Sequence, residues 1–123
     1  MNLLLVDDDP LILTVARELL DHLGFTVQVA ANGLEALGRF QQAPRVDLVI
    51  LDLDLPDMGG SELVRRFREF APQTPVLVAS GFITLKVEKE LKAAGVAALL
   101  HKPFRIAELE AQIRKALEGR LEG

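Results

Sequence analysis

Short apolar runs alternate along the chain with segments whose apolar residues recur every three or four positions. Leu3–Val6 is an apolar run of buried-strand type, ended by Asp7-Asp8-Asp9-Pro10. Pro10 suits the first turn of a helix, where its missing N–H costs nothing. Leu11, Val15, Leu19 and Leu20 then repeat at helical spacing up to the stop signal Gly24. Phe25–Val29 alternates as a second strand, and Asn32-Gly33 signals a turn before helical spacing resumes over Leu34–Phe40. Val46–Leu51 is the third strand, with Asp47 its only charge, as expected of a strand buried on both faces.

A loop rich in Asp, Pro and Gly extends from Asp52 to Gly60, and Ser61 is placed to cap a helix over Glu62–Phe70. Val76–Ala79, ended by Ser80-Gly81, is the fourth strand. Thr84–Ala94 is a charged amphipathic helix stopped by Gly95, with Glu88 and Lys92 spaced for an ion pair. Val96–Leu100, ended by His101-Lys102-Pro103, is the fifth strand, and Ile106–Leu117 the last helix. Strands and helices in strict alternation predict an α/β fold, a doubly wound five-stranded parallel sheet with five alternating helices on its two faces. No repeat or linker divides the chain, so one domain over residues 1–118 and a C-terminal tail at 119–123 are expected.

Half of the 123 residues are hydrophobic, enough to bury one core without staples. The absence of Cys removes disulfides and thiolate metal sites. A formal charge of −4, from 14 basic and 18 acidic residues, argues against a nucleic-acid-binding face. No apolar run is long enough to span a bilayer, and Met1-Asn2-Leu3 lacks the basic start of a signal peptide. A cytoplasmic protein without a membrane or direct nucleic-acid partner is expected.

The candidate chemistry lies where strands end. Asp7, Asp8 and Asp9 come after the first strand, Asp52 and Asp54 after the third, Ser80 after the fourth and Lys102 after the fifth. A doubly wound sheet gathers such residues at one rim, where ligands bind. Taken singly, each has a structural reading: a helix cap for the Asp run, a turn for Asp52 and Ser80, a solvated surface for Lys102. His22 and His101 suggest no role. Together the carboxylates repel by up to ~4 kcal/mol per pair at 4 Å with an effective dielectric of 20. An oxygen-only hard cation such as Mg²⁺ relieves that repulsion. Beside the cation one carboxylate becomes a nucleophile toward a phosphoryl group, with Lys102 and Ser80 available to meet the transferred charge.

Val6-Asp7-Asp8-Asp9-Pro10, Leu51-Asp52-Leu53-Asp54-Leu55-Pro56, Ala79-Ser80-Gly81 and Lys102-Pro103-Phe104 resemble, in order, the signature blocks of response-regulator receiver domains of two-component systems. The resemblance covers Leu3 to about Leu117 and implies a flavodoxin-like receiver topology. It implies that Asp52 is the phospho-acceptor and that Asp7 and Asp8 join it in holding Mg²⁺, with Mn²⁺ an alternative. It further implies that Asp54 offers its backbone carbonyl to the metal, that Ser80 is the switch hydroxyl and that Lys102 pairs with the acceptor and then the phosphoryl group. A cis Lys102–Pro103 bond is part of the pattern.

The partners implied are a sensor histidine kinase or histidine phosphotransfer protein and an output partner met through the Thr84–Leu100 face. That face reads equally well as a solvated surface. The implied protein is a switch with Mg²⁺-dependent self-phosphorylation and autodephosphorylation, not a turnover enzyme. Two departures stand out. Leu99 occupies a position where many members carry Tyr or Phe, and Phe82 lies two residues after Ser80, where it is expected to restrict water access together with Asp54.

Three other readings use the same residues. Asp52-Leu53-Asp54 superficially matches the Asp-x-Asp motif of haloacid-dehalogenase-like phosphatases, but it comes after the third strand instead of the first. A phosphate-independent receiver-like interaction module would have lost an acidic residue or the lysine, and both are kept. A flavin domain lacks Trp or Tyr to stack on the ring.

Overall fold

The computed structural model describes residues 1–42 and 45–122. The order is β1 (Asn2–Val6), α1 (Pro10–His22), β2 (Thr26–Ala30), α2 (Gly33–Gln41), β3 (Leu48–Asp52), α3 (Gly60–Phe70), β4 (Val76–Ser80), α4 (Leu85–Ala93), β5 (Ala98–His101) and α5 (Ile106–Glu122). All strands pair in parallel in one sheet of order β2-β1-β3-β4-β5. This is the doubly wound, flavodoxin-like arrangement expected.

Side chains alternate across a strand, and here the two faces divide cleanly. Leu3, Leu5, Leu48, Ile50 and Leu77 pack with Leu13 and Leu20 of α1 and Leu109 and Ile113 of α5. Leu4, Val6, Val49, Leu51 and Val78 pack with Leu37, Leu63, Phe67 and Leu91 of α2, α3 and α4. The central strands β3 and β4 are buried at every position, which is why they read as unbroken apolar runs. Phe67 also meets Phe40 ring to ring, 4.9 Å between centroids at 53°.

Local signals set the helix ends. Asp9 caps α1, its side chain accepting from the Leu11 N–H, and Pro10 is the first helical residue. Thr84 caps α4 by accepting from the Val87 N–H, and Glu88 and Lys92 form the expected pair at 3.0 Å. Gly24 and Gly95 adopt φ +99° and +85° after α1 and α4, the left-handed stop that favours glycine.

Four expectations shift. The ladders of β2, β3, β4 and β5 reach one residue further toward their carboxyl ends than the apolar runs, so Asp52, Ser80 and His101 lie inside them. Apolar runs mark burial; Val46, 3% exposed, is core without being strand. α3 begins at Gly60 with Gly59 as cap, so Ser61 is not the cap. A Cβ at residue 60 would sit 2.8 Å from the Leu53 Cα, and only glycine lets the helix start this close to the loop. The stripe Leu11, Val15 and Leu19 of α1 faces solvent at 69%, 46% and 42% exposure, while Leu13 and Leu20 reach the core. α5 continues to Glu122: a helical glycine such as Gly119 costs about 1 kcal/mol, but Glu118, Arg120 and Leu121 around it are good helix formers. Gly123 lies outside the described residues.

Candidate functional site

The parallel register builds the site. Leu5 pairs with Ile50 and Val6 with Leu51, so the next residues, Asp7 and Asp52, emerge side by side on the α1–α5 face. Both backbones are held: the Asp7 N–H donates to the Ala30 carbonyl at 3.1 Å, and Asp52 pairs with Ala79 of β4. Asp7 is 4% and Asp52 8% exposed, whereas Asp8 is exposed. Carboxylate oxygens of Asp7, Asp8 and Asp52 lie within 4.8 Å of one another.

Lys102 reaches this group from the end of β5. Its N–H donates to the Ser80 carbonyl at 2.8 Å, and its peptide bond to Pro103 is cis, as the resemblance implied. The ammonium donates to Asp7 Oδ2 at 2.9 Å and to Asp52 Oδ2 at 3.2 Å. Burial alone would lower the pKa of Lys102, but the hydrogen bond to Asp7 and the charge of Asp52 outweigh it and hold it above its ordinary value. Burial pushes the Asp52 carboxyl up, and the Asp54 N–H and Lys102 only partly counter this, with Asp7 adding to the rise.

The structure therefore brings together Asp7, Asp8, Asp52 and Lys102. One ammonium faces three carboxylates, two of them buried, so negative charge is left over. An oxygen-only donor set with one exposed member fits a hard dication that keeps part of its water. Asp9 is set apart as the cap of α1, its N–H donating to Asp7 Oδ1 at 3.0 Å.

Ser80, fully buried, stands on the next strand. Its hydroxyl donates to the Phe82 carbonyl at 3.3 Å and accepts from the Phe82 N–H at 3.4 Å, both long bonds within its own turn. Asp54 is exposed and donates its N–H to Asp52 Oδ1 at 3.2 Å. The ring of Phe82 is 77% exposed and covers little of the site in this conformation. Leu99 is partly buried against the α2–α3–α4 cluster.

Two features escape a reading of the sequence. A cavity of about 600 Å³ opens between α1 and α5, mostly apolar, with Asp7, Asp52 and Lys102 at its polar end and Leu11, Val15 and Leu19 along one wall. Asp57, which reads as ordinary loop polarity, accepts from the Gly33 N–H at 2.7 Å and the Leu34 N–H at 2.9 Å. Those two bonds hold its pKa below the usual carboxylate value.

A family model described as the response regulator receiver domain matches residues 3–114. The aerobic respiration control sensor protein ArcB of Escherichia coli (strain K12) is 40% identical over 117 residues, 94% of this chain and 15% of that protein. The transcriptional regulatory protein TrcR of Mycobacterium tuberculosis is 33% identical over 117 residues, 95% of this chain and 45% of that one. This chain thus spans less than half the length of either relative. Among solved structures, a CheY-like receiver domain protein from Methanospirillum hungatei JF-1 superposes with TM-score 0.93 at 30% identity, covering 99% of this chain and 98% of that one. The chemotaxis protein CheY4 of Vibrio cholerae superposes with TM-score 0.88 at 32% identity, covering 94% and 98%.

Proposed function

This chain belongs to the response regulator receiver domain family of two-component signalling, and on that premise we propose that it is a phosphorylation switch whose acceptor is Asp52. The observation that carries this reading is Lys102 bridging Asp7 and Asp52 beside a three-carboxylate group. Asp7, Asp8 and Asp52 would hold Mg²⁺ (or Mn²⁺), joined by the Asp54 backbone carbonyl. Bound there, the ion would neutralise the carboxylates and offset charge on the transferred phosphoryl oxygens.

The donor is a phosphohistidine on a sensor histidine kinase or phosphotransfer protein. An Asp52 carboxylate oxygen attacks phosphorus in line, an O–P bond forms, and the P–N bond breaks with its electron pair leaving on the imidazole. The burial that raises the Asp52 pKa also keeps water from solvating the nucleophile, while the ammonium of Lys102 favours its ionised form and partly offsets that rise. The exposed α1 stripe of Leu11, Val15 and Leu19 beside the acceptor gives the donor protein an apolar surface to seat on.

After transfer Lys102 tracks the phosphoryl oxygens. Ser80 exchanges its long bond to the Phe82 carbonyl for a phosphoryl oxygen, which moves the turn that leads into α4. That exchange biases two arrangements of the Thr84–Leu100 face, where Phe82 and Leu85, each 77% exposed, border the surface offered to an output partner. Leu99 has no ring to turn inward, so the loop and α4 carry the change. The domain is a switch that loses its phosphoryl group by autodephosphorylation. Its body is residues 1–118, with 119–123 a C-terminal tail, and it acts in the cytoplasm.

Intact mass after incubation with acetyl phosphate and Mg²⁺ tests this. A gain of one phosphoryl group, dependent on Mg²⁺ and absent in Asp52→Asn, is expected. No gain, from acetyl phosphate or from a phosphorylated histidine phosphotransfer protein, would move the reading to a phosphate-independent interaction module.

A further inference from the structure

A loop, residues 53–59, leads from the acceptor to α3 and includes Asp54. Its ends are fixed: Asp52 lies in the sheet ladder, and Gly60 packs against Leu53. Within the loop the backbone is tied by the isolated Asp54–Gly59 bridge, by the 3.2 Å bond from the Asp54 N–H to Asp52, and at its end by the Gly59 carbonyl, which accepts from the Leu63 N–H at 3.1 Å. The tip, however, is attached elsewhere. Both oxygens of Asp57 accept from the first two N–H groups of α2, Gly33 and Leu34, 24 and 23 residues away in the chain. The Met58 side chain lies against the same Gly33, where a Cβ would come within 2.6 Å of its Cγ.

Capping alone does not account for this arrangement. The α2 start already has a side-chain cap of its own, Asn32 accepting from the Glu35 N–H at 2.8 Å, and Asp57 adds the two N–H groups before it. Asp57 and Leu34 are exposed, so water could serve the carboxylate and the Leu34 N–H, while Gly33 is buried. Instead a charged, two-pronged hydrogen bond and an apolar contact join the same two points.

On the premise that Asp52 is the acceptor of a metal-holding site, we propose that Asp57 is a positioning residue for that site. By clamping the loop tip to α2, it sets the Asp54 backbone, whose N–H orients Asp52 and whose carbonyl is expected to meet the metal. The clamp also makes the position of α2 part of the acceptor's geometry, so any partner that displaces the start of α2 would loosen the site.

Mg²⁺ titration by calorimetry, with melting temperatures in EDTA, separates this role from helix capping. Asp57→Ala should weaken Mg²⁺ binding about tenfold, the lower end of the loss usual for groups that orient metal ligands. Asp57→Asn keeps one accepting oxygen and should fall between. Asn32→Ala removes the cap without touching the loop, and should lower the melting temperature while leaving Mg²⁺ affinity at the wild-type value. Wild-type affinity in folded Asp57→Ala would overturn the proposal. So would an Asn32→Ala loss equal to that of Asp57→Ala, which would trace the effect to helix stability. Absence of Mg²⁺ binding in the wild-type chain would instead defeat the acceptor-site reading itself, and this proposal with it.

Discussion

Leu51 and Asp52 are neighbours on one strand, 0% and 8% exposed, and their burial has opposite consequences. Leu51 faces α2, α3 and α4 and gains the full transfer of its side chain from water, about 1.5–3 kcal/mol. Asp52 faces the other way, toward Asp7 and Lys102, and its burial opposes ionisation. Val6 and Asp7 face opposite ways in the same manner, Val6 into the α2–α3–α4 cluster and Asp7 toward Lys102. The interior of the sheet is therefore built for stability. Its carboxyl rim holds buried charge that is only partly balanced, which is the condition for binding a cation and presenting a nucleophile. A fold of this kind places reactivity one residue beyond its best-packed positions, because the ladder that aligns Val6 with Leu51 also aligns Asp7 with Asp52.

Mutations on the two sides of that boundary should behave differently. The largest stability change is expected inside: Leu51→Ala should cost about 3 kcal/mol in urea unfolding, within the usual 2–5, and leave Mg²⁺ binding intact. A negligible cost would mean that the strand interior is not the source of stability. At the rim the sign reverses. Asp8→Asn should stabilise the protein in EDTA by about 1 kcal/mol, because it removes a carboxylate from a partly solvated cluster, and should abolish the rise in melting temperature produced by Mg²⁺. An unchanged Mg²⁺ effect would remove Asp8 from the site.

The smallest change is in pH dependence. Raising the Asp52 pKa means that the folded state binds its proton more tightly than the unfolded chain does. Ionised Asp52 thus costs stability above its folded pKa, and that cost is relieved as pH falls through this value toward the ordinary 3.8. In EDTA, Asp52→Asn should be more stable than wild type at neutral pH, with the advantage shrinking toward pH ~4. A difference independent of pH would show that Asp52 is not destabilised by its burial.

Much of this is legible in the sequence, for identifiable reasons. The alternation of strands and helices comes from two hydrophobic periods, and Asp7, Asp52, Ser80 and Lys102 stand out because each lies where an apolar run ends. The hidden part depends on pairing in space. That Asp7 and Asp52 share a face is a consequence of the β1–β3 register, which apolar runs do not encode. α1 carries two apolar stripes, and only the packed structure selects Leu13 and Leu20 over Leu11, Val15 and Leu19. Ser61 looks like a cap because its residue type is right, yet α3 starts at Gly60 on account of Leu53. Asp57 reads as no more than a loop residue, since its partners are 23 and 24 residues away.

If Asp52 is the acceptor, the rim presents it, and no other carboxylate, to phosphorus. Borohydride reduction of the chain after treatment with acetyl phosphate and Mg²⁺ converts an aspartyl phosphate to homoserine, which peptide sequencing by mass spectrometry locates. Homoserine is expected at position 52 alone. Homoserine at 7, 8 or 54, with Asp52 intact, would contradict it.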